Sequence, residues 1–221
     1  MKLGLISDIH SNKIALNKVL EDMPDVDKIV CLGDIVGYGP WPSECVDIVK
    51  ENCDLFVLGN HDRTLQNPKD FSGNKWAYEG IKYSKEKLTS KQYNWVTNLP
   101  EEERIENYRL IHSHPSITDM YVRPNQFSEM NRYLSEEDRG IFLGHTHIQS
   151  NAVIDNESIV VNPGSVGQPR DNNPKAAYSV VDSNTNTVTP YRVPYDIDSV
   201  ITAVKDTELP EFNGKRLENG E

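Results

Sequence analysis

Short apolar runs that end in small polar clusters recur along this chain. Leu3 to Ile6 leads into Asp8-Ile9-His10, Ile29 to Leu32 into Gly33-Asp34, and Leu55 to Leu58 into Gly59-Asn60-His61-Asp62. Leu110-Ile111 leads to His112, and Ile141 to Leu143 leads to Gly144-His145-Thr146-His147. Runs of this length, bounded by glycine and polar residues, predict buried strands of an α/β fold. Between the first two runs, Ile14, Leu16, Val19 and Leu20 fall near helical spacing and Pro24 supplies a stop. That predicts a helix over 11–23 and a parallel βαβ start.

Further helices are predicted over 43–52, 76–88, 90–98, 126–134 and 198–205. Glu101 to Arg109 reads as a solvated, charged turn ahead of a strand at 108–111. Beyond His147 the pattern changes. Segments 149–154 and 158–161 flank Asp155-Asn156-Glu157, and 176–181 and 187–193 flank 182–186, which predicts two hairpins. Glu208 to Glu221 is charged and reads as a mobile tail, so the expected organisation is a single domain over 1–207 followed by that tail. The expected fold class is α/β: a four-layer αββα sandwich of two mixed sheets flanked by helices.

Composition narrows the class. A chain of 221 residues suits one large α/β domain, and 37% hydrophobic residues leave an ample polar surface. No apolar stretch approaches the roughly 20 residues that span a bilayer. The net charge of −11 comes without a Lys/Arg cluster, so neither membrane nor stable nucleic-acid binding is expected. The three cysteines, Cys31, Cys45 and Cys53, are odd in number, and the first two fall in a predicted strand and helix. They read as small buried hydrophobes in a reducing compartment. The first strand begins too near the N-terminus for a cleaved signal, which makes the cytoplasm the expected location.

Ligands in α/β folds gather at the carboxyl ends of strands, where this pattern delivers Asp, His and Asn. Carboxylate, imidazole and amide oxygen suit Mn, Fe, Co, Ni or Zn, and the lack of thiolates argues against a structural zinc finger. In order and spacing, the five clusters resemble the calcineurin-like metallophosphoesterases, whose pattern runs D-x-H, G-D, G-N-H-[DE], H, G-H-x-H. The match extends from Lys2 to roughly Arg170. The Ser/Thr protein phosphatases of that superfamily extend the second motif as G-D-x-V-D-R-G. Here Gly33-Asp34-Ile35-Val36-Gly37-Tyr38-Gly39 lacks both the second Asp and the Arg. Gly37-Tyr38-Gly39-Pro40 and Asn162-Pro163-Gly164-Ser165, with Gln168-Pro169-Arg170, look instead like the small bacterial and archaeal phosphodiesterase branch.

The resemblance implies two divalent transition-metal ions, Mn foremost, with Fe, Ni, Co or Zn as alternatives. One would take Asp8, His10 and His147, the other Asn60, His112 and His145, and Asp34 would bridge them. A hydroxide between the metals would attack phosphorus in line, with His61 as candidate general acid. Asp62, paired with it, would orient His61 or anchor its loop. Asn12 would reach a bound phosphate or cap the first helix. Ser165 and Arg170 would touch a phosphate oxygen, the alternative being a tight turn with Arg170 paired to an acidic neighbour. His114 departs from the pattern and would contact substrate, replace His112 as ligand, or do neither; His112 is taken as the ligand. Met120, Tyr121 and Val122, in the irregular stretch 115–124, would line a pocket or form ordinary surface, and that loop and Trp41 would serve as pocket wall or oligomer interface. The function so implied is hydrolysis of a small or nucleotide-like phosphodiester. The alternatives are a phosphomonoesterase or phosphoprotein phosphatase using the same site, and a noncatalytic scaffold of the same fold.

Overall fold

In the computed structural model, which describes residues 1–221 apart from the side chain of Asn156, Lys2–Ile6 forms β1. Side chains alternate across a strand. Leu3 and Leu5 therefore enter one apolar layer while Ile6 enters another. Helix α1 (Lys13–Asp22) carries the chain back to β2 (Lys28–Cys31), which pairs parallel with β1. Helix α2 (Pro42–Asn52) then leads to the two-residue β3 (Leu55–Phe56), again parallel.

After α3 (Asn60–Thr64), α4 (Lys75–Lys87) and α5 (Ser90–Thr97), a second sheet begins. It contains β4 (Glu102–Ile105), β5 (Tyr108–Ile111), β6 (Gly140–Phe142), β7 (Ser150–Val153) and β8 (Ile159–Asn162), in the order β4-β5-β6-β8-β7. The chain then returns through the hairpin β9 (Ala176–Asp182) and β10 (Thr187–Val193) to complete the first sheet, β10-β9-β1-β2-β3.

Leu3, Leu5, Val30 and Leu32 of the first sheet meet Tyr108, Leu110, Phe142 and Val161 of the second in a layer closed to water. Leu16, Val19, Val46, Val49 and Ile81 cover the outer face of the first sheet. Val122, Phe127 and Met130 cover Ile111, Ile141 and Leu143 on the outer face of the second. These are the expected two mixed sheets flanked by helices. The hairpins predicted after His147 form, and Cys31 and Cys45 are buried thiols.

Three expectations change. Glu102–Ile105, read as a solvated turn, is the edge strand β4 paired with β5. Its charged side chains suit an edge, where one strand face and one backbone rim meet solvent. Pro124–Tyr133 is a 3₁₀ helix rather than an α-helix. The segment from Glu208, read as a mobile tail, folds into α7 (Phe212–Lys215) and a 3₁₀ turn after helix α6 (Ile197–Lys205). Leu209 and Leu217 bury themselves against Val200 and Val204 and hold it down. Trp41 is half-buried against the same patch, beneath the Lys13 ammonium. Among the described residues, no helix is long and apolar enough to cross a membrane.

Candidate metal centre and its cleft

The predicted strand ends converge. Asp8 and His10 follow β1, Asp34 follows β2 and Asn60 opens α3 just past β3, all on the first sheet. His112 follows β5, and His145 and His147 follow β6, on the second. Asp8, His10, Asp34 and His147 bring ligand atoms within 4.8 Å of one another, as do Asp34, His112 and His145. Asp34 belongs to both groups. Asn60 Oδ1 lies 3.0 Å from His112 Nε2 and so joins the second group.

The local backbone is bent to achieve this. Asp8, His10, Asp34, His145 and His147 all have positive φ, between 48° and 69°. Each such non-glycine residue costs about 1–2 kcal/mol and clusters where structure is committed to function. Gly59 lets the third loop press on the second, since a Cβ there would lie 2.1 Å from the Asp34 nitrogen.

The imidazoles are oriented by main-chain carbonyls. His10 Nδ1 faces Val36 O at 3.1 Å, His112 Nδ1 faces Leu32 O at 2.6 Å and His147 Nδ1 faces Gln168 O at 2.5 Å. Nδ1–H donates in each, leaving the Nε2 lone pair for the cluster. His145 is reversed: Nε2 donates to Asp119 O at 2.9 Å and Nδ1 is left free. Outer hydrogen bonds of this kind fix the tautomer of metal-ligating histidines. With those tautomers, the Nε2 lone pairs of His10 and His147 face each other across 3.0 Å. That contact is repulsive until a cation stands before both, whereas His112, charged beside Asp34 and Asp8, donates Nε2–H to Asn60 Oδ1 until a metal takes the place of that proton.

Electrostatics ask for the same cation. Burial, reinforced by Asp34, drives the Asp8 carboxyl up to about 7 although His112 pulls it down. Burial acts on Asp34 in the same sense, but His112, His61 and His10 hold it well below the carboxylate range. Burial opposes a charged His112, yet Asp34 and Asp8 raise it to about 10. Burial keeps His10 and His147 neutral, the form that ligates. The donor set thus fits two divalent ions sharing Asp34. Adding a divalent transition metal such as Mn to metal-stripped protein should raise Tm by about 5–10 °C at a hundredfold excess over Kd. Calorimetry with and without metal checks this, and an unchanged Tm refutes the fit.

The remaining site residues divide. His61 lines the cleft, packed among Tyr38, His10 and Phe71 at 4.7–4.8 Å between ring centroids, and burial lowers its pKa to about 4. Its Nδ1 is buried without a partner. Asp62 does not touch that ring. Its carboxylate accepts from Ile35 N (3.0 Å), Val36 N (3.1 Å) and Gly59 N (3.2 Å), so it anchors the loops and is not a catalytic group. Asn12 is not a phosphate ligand either: Oδ1 caps α1 at Ala15 N and Nδ2 donates to Gly167 O. Ser165 is withdrawn in the same way, since its hydroxyl donates to Asp8 O and accepts from Gln168 N. Their polarity serves contacts between loops.

Arg170 does line the cleft. It is held by Gln168 Oε1 and the Tyr38 hydroxyl, both neutral, while the neighbouring Asp171 pairs with Arg192. His114 stands outside both groups, its Nδ1 accepting from Ser116 N and Ile117 N. Tyr121 lines the cleft and stacks on His145 at 4.4 Å, whereas Val122 goes into the core and Met120 outward.

The cleft above the cluster has a volume of about 570 Å³, with Gln66, Asn67, Phe71 and Asn74 on its outer wall. Three contributors escaped the sequence reading. The main-chain oxygen of Asp119 fixes the His145 tautomer, and Arg63 braces that loop by pairing with Asp119 and Glu101. Tyr38 is the third, a buried ring between His10, His61 and Arg170. Only Tyr38 left a sequence signal, in the Gly37-Tyr38-Gly39-Pro40 turn.

Comparison with known proteins gives a consistent picture. The sequence model of the calcineurin-like phosphoesterase superfamily domain matches residues 1–186. An uncharacterised protein of Methanocaldococcus jannaschii is 35% identical over 97% of this chain and 96% of its own. The crystal structure of a metallophosphoesterase from Sphaerobacter thermophilus superposes with a TM-score of 0.84 at 28% identity, covering 100% of both chains. A symmetrical bis(5'-nucleosyl)-tetraphosphatase of Salmonella paratyphi A is 29% identical over 65% of this chain and 54% of that one.

Proposed function

Because the chain belongs to the calcineurin-like phosphoesterase superfamily, we propose that it is a phosphodiesterase for small, nucleotide-like substrates. The observation that carries this is the pair of ligand groups sharing Asp34 beneath a cleft in which Arg170, unlike Arg63, has no acidic partner. Two divalent ions held by Asp8, His10, His147, Asp34, Asn60, His112 and His145 would supply Lewis-acid charge and an activated water. Mn is our first choice among them.

The protein's own groups do the rest. Arg170 takes a non-bridging phosphoryl oxygen, kept in place by Gln168 and Tyr38. His61 protonates the leaving alkoxide. Burial lowers the His61 pKa to about 4, so only its protonated minority form donates, and an adjacent phosphoryl anion favours that form. A single unpaired guanidinium suits a diester monoanion, and the loop after Asp34 offers no second arginine of the protein-phosphatase kind. The volume of about 570 Å³ and the amide-bearing wall fit a nucleotide-sized ligand, and the similarity to a bis(5'-nucleosyl)-tetraphosphatase supports the nucleotide character.

The test is an assay of metal-stripped protein, with Mn restored, on bis(4-nitrophenyl) phosphate and 4-nitrophenyl phosphate. We expect Mn-dependent cleavage with kcat/KM at least about tenfold higher for the diester. Preference for the monoester would replace the reading with a phosphatase. His61→Ala should lose less than about tenfold on the activated aryl diester but roughly 10²–10³ in kcat on diesters with an alkoxide leaving group. Equal losses on both would remove His61 from the proton transfer.

A further inference from the structure

Asn60 and His145 reach the second ligand group from different sheets, and one arginine ties them together. Asn60 opens the five-residue helix α3, and Arg63 lies on the same helix, its N–H donating to Gly59 O at 3.0 Å. From there Arg63 Nη1 donates to Asp119 Oδ1 at 2.8 Å, while Nε faces Glu101 Oε1 at 3.4 Å. Asp119 has a φ of 60°, which aspartate tolerates better than most residues. Its carboxylate meets Arg63, and its main-chain oxygen accepts from His145 Nε2 at 2.9 Å.

Apart from that bond to His145, the loop carrying Asp119 bonds to itself. His114 Nδ1 accepts from Ser116 N and Ile117 N at 3.1 Å, and His114 N donates to Met120 O at 3.2 Å. Tyr121 adds a ring stacked on His145. Among the described residues, the Arg63–Asp119 pair is the only hydrogen bond between residues 113–121 and α3. The first ligand group has separate supports, since Val36 O orients His10 and Gln168 O orients His147. Arg63 lines the cleft, but two carboxylates already engage its guanidinium, which sets it apart from Arg170.

We propose that Arg63 is a positioning residue for the second metal ion alone. Through Asp119 it keeps the free Nδ1 of His145 aimed at the ion that Asn60 also holds, and so sets the affinity for that ion. The ion at Asp8, His10 and His147 does not depend on it. This rests on the two-metal reading of the cleft and adds a residue, outside both ligand groups, that governs one ion of the two.

The experiment is calorimetric titration of the metal-stripped full chain with Mn, with no ester present. Arg63→Gln should weaken one ion about fivefold, the scale of a partly exposed charge-assisted contact, and leave the other within about twofold. Arg63→Lys should recover part of the loss, because a point charge can meet Asp119 without the fork. Asp119→Asn, which keeps the left-handed backbone and gives up the charge, should weaken the same ion and add nothing in the Arg63→Gln background. His145→Ala identifies that ion: with the second group broken, Arg63→Gln should no longer change the binding that remains. The proposal is overturned if Arg63→Gln weakens both ions equally or neither, or if its effect survives in His145→Ala. Selective loss of one ion in a protein that cleaves neither aryl ester would count against the phosphodiesterase reading only. Diester cleavage with both ions unmoved by Arg63→Gln would count against the positioning role only.

Discussion

Asp34→Asn should lower metal-dependent phosphoester turnover by about 10³-fold or more and reduce the bound metal from two ions per chain. Asp34 is the only residue common to both ligand groups. Its Oδ1 accepts from His61 N at 2.8 Å, while Oδ2 faces His10 Nε2 at 3.6 Å and His112 Nε2 at 3.5 Å. The asparagine can keep the first bond through its carbonyl oxygen and tolerates a positive φ better than most residues. What it loses is the anionic oxygen between the two groups. Turnover and metal content by elemental analysis should therefore fall together while the fold persists. Full activity with two ions bound would contradict the shared-ligand reading.

Asp62→Ala should cost about 3–5 kcal/mol of stability, or roughly 10 °C in Tm. The buried carboxylate serves three main-chain donors, Ile35 N, Val36 N and Gly59 N, and alanine would strand all of them. Burial and nearby Asp34 push the Asp62 carboxyl up to about 7, and the amides of Val36 and Ile35 counter that push. The same bonds tie the loop after β2 to the start of α3, the loops that present Asp34 and Asn60. Activity should fall as a consequence of misplaced ligands and should recover in part at high metal concentration. Denaturant unfolding measures the first effect and metal titration the second. A loss below about 1 kcal/mol would show that water or rearrangement satisfies those amides.

Much of the fold was legible because local and global signals agree. In β1 the alternation of Leu3, Leu5 and Ile6 names two faces, and parallel neighbours follow from the helix inserted between β1 and β2. The seven candidate ligands were legible as residue types at strand ends, and the structure gathers all of them. What escaped has physical reasons. Glu102–Ile105 is a strand because β5 offers it a partner, and pairing at an edge leaves almost no apolar signature. The last fourteen positions looked mobile because only Leu209, Phe212 and Leu217 interrupt their polarity, yet two of these find a buried patch. Asn12 is the helix cap the sequence allowed, while Ser165 misleads because a hydroxyl that joins two loops has the same sequence appearance as one that meets a ligand. Asp119 acts through its carbonyl oxygen, which no side-chain pattern reports.

The ligand set is divided between the sheets. Asp8, His10, Asp34 and Asn60 hang from one and His112, His145 and His147 from the other, and each group draws on both. The centre is consequently a gauge of how the two halves of the sandwich are mated. Metal–ligand distances tolerate only about 0.2 Å. Tyr108 and Phe142, stacked at 4.7 Å in the layer between the sheets, set that spacing from a distance. Trimming either ring would detune the centre with no change in any group that touches substrate. A mutational screen scored by lost turnover would therefore collect inter-sheet packing positions alongside the ligands, and recovery at high metal concentration would sort one kind from the other.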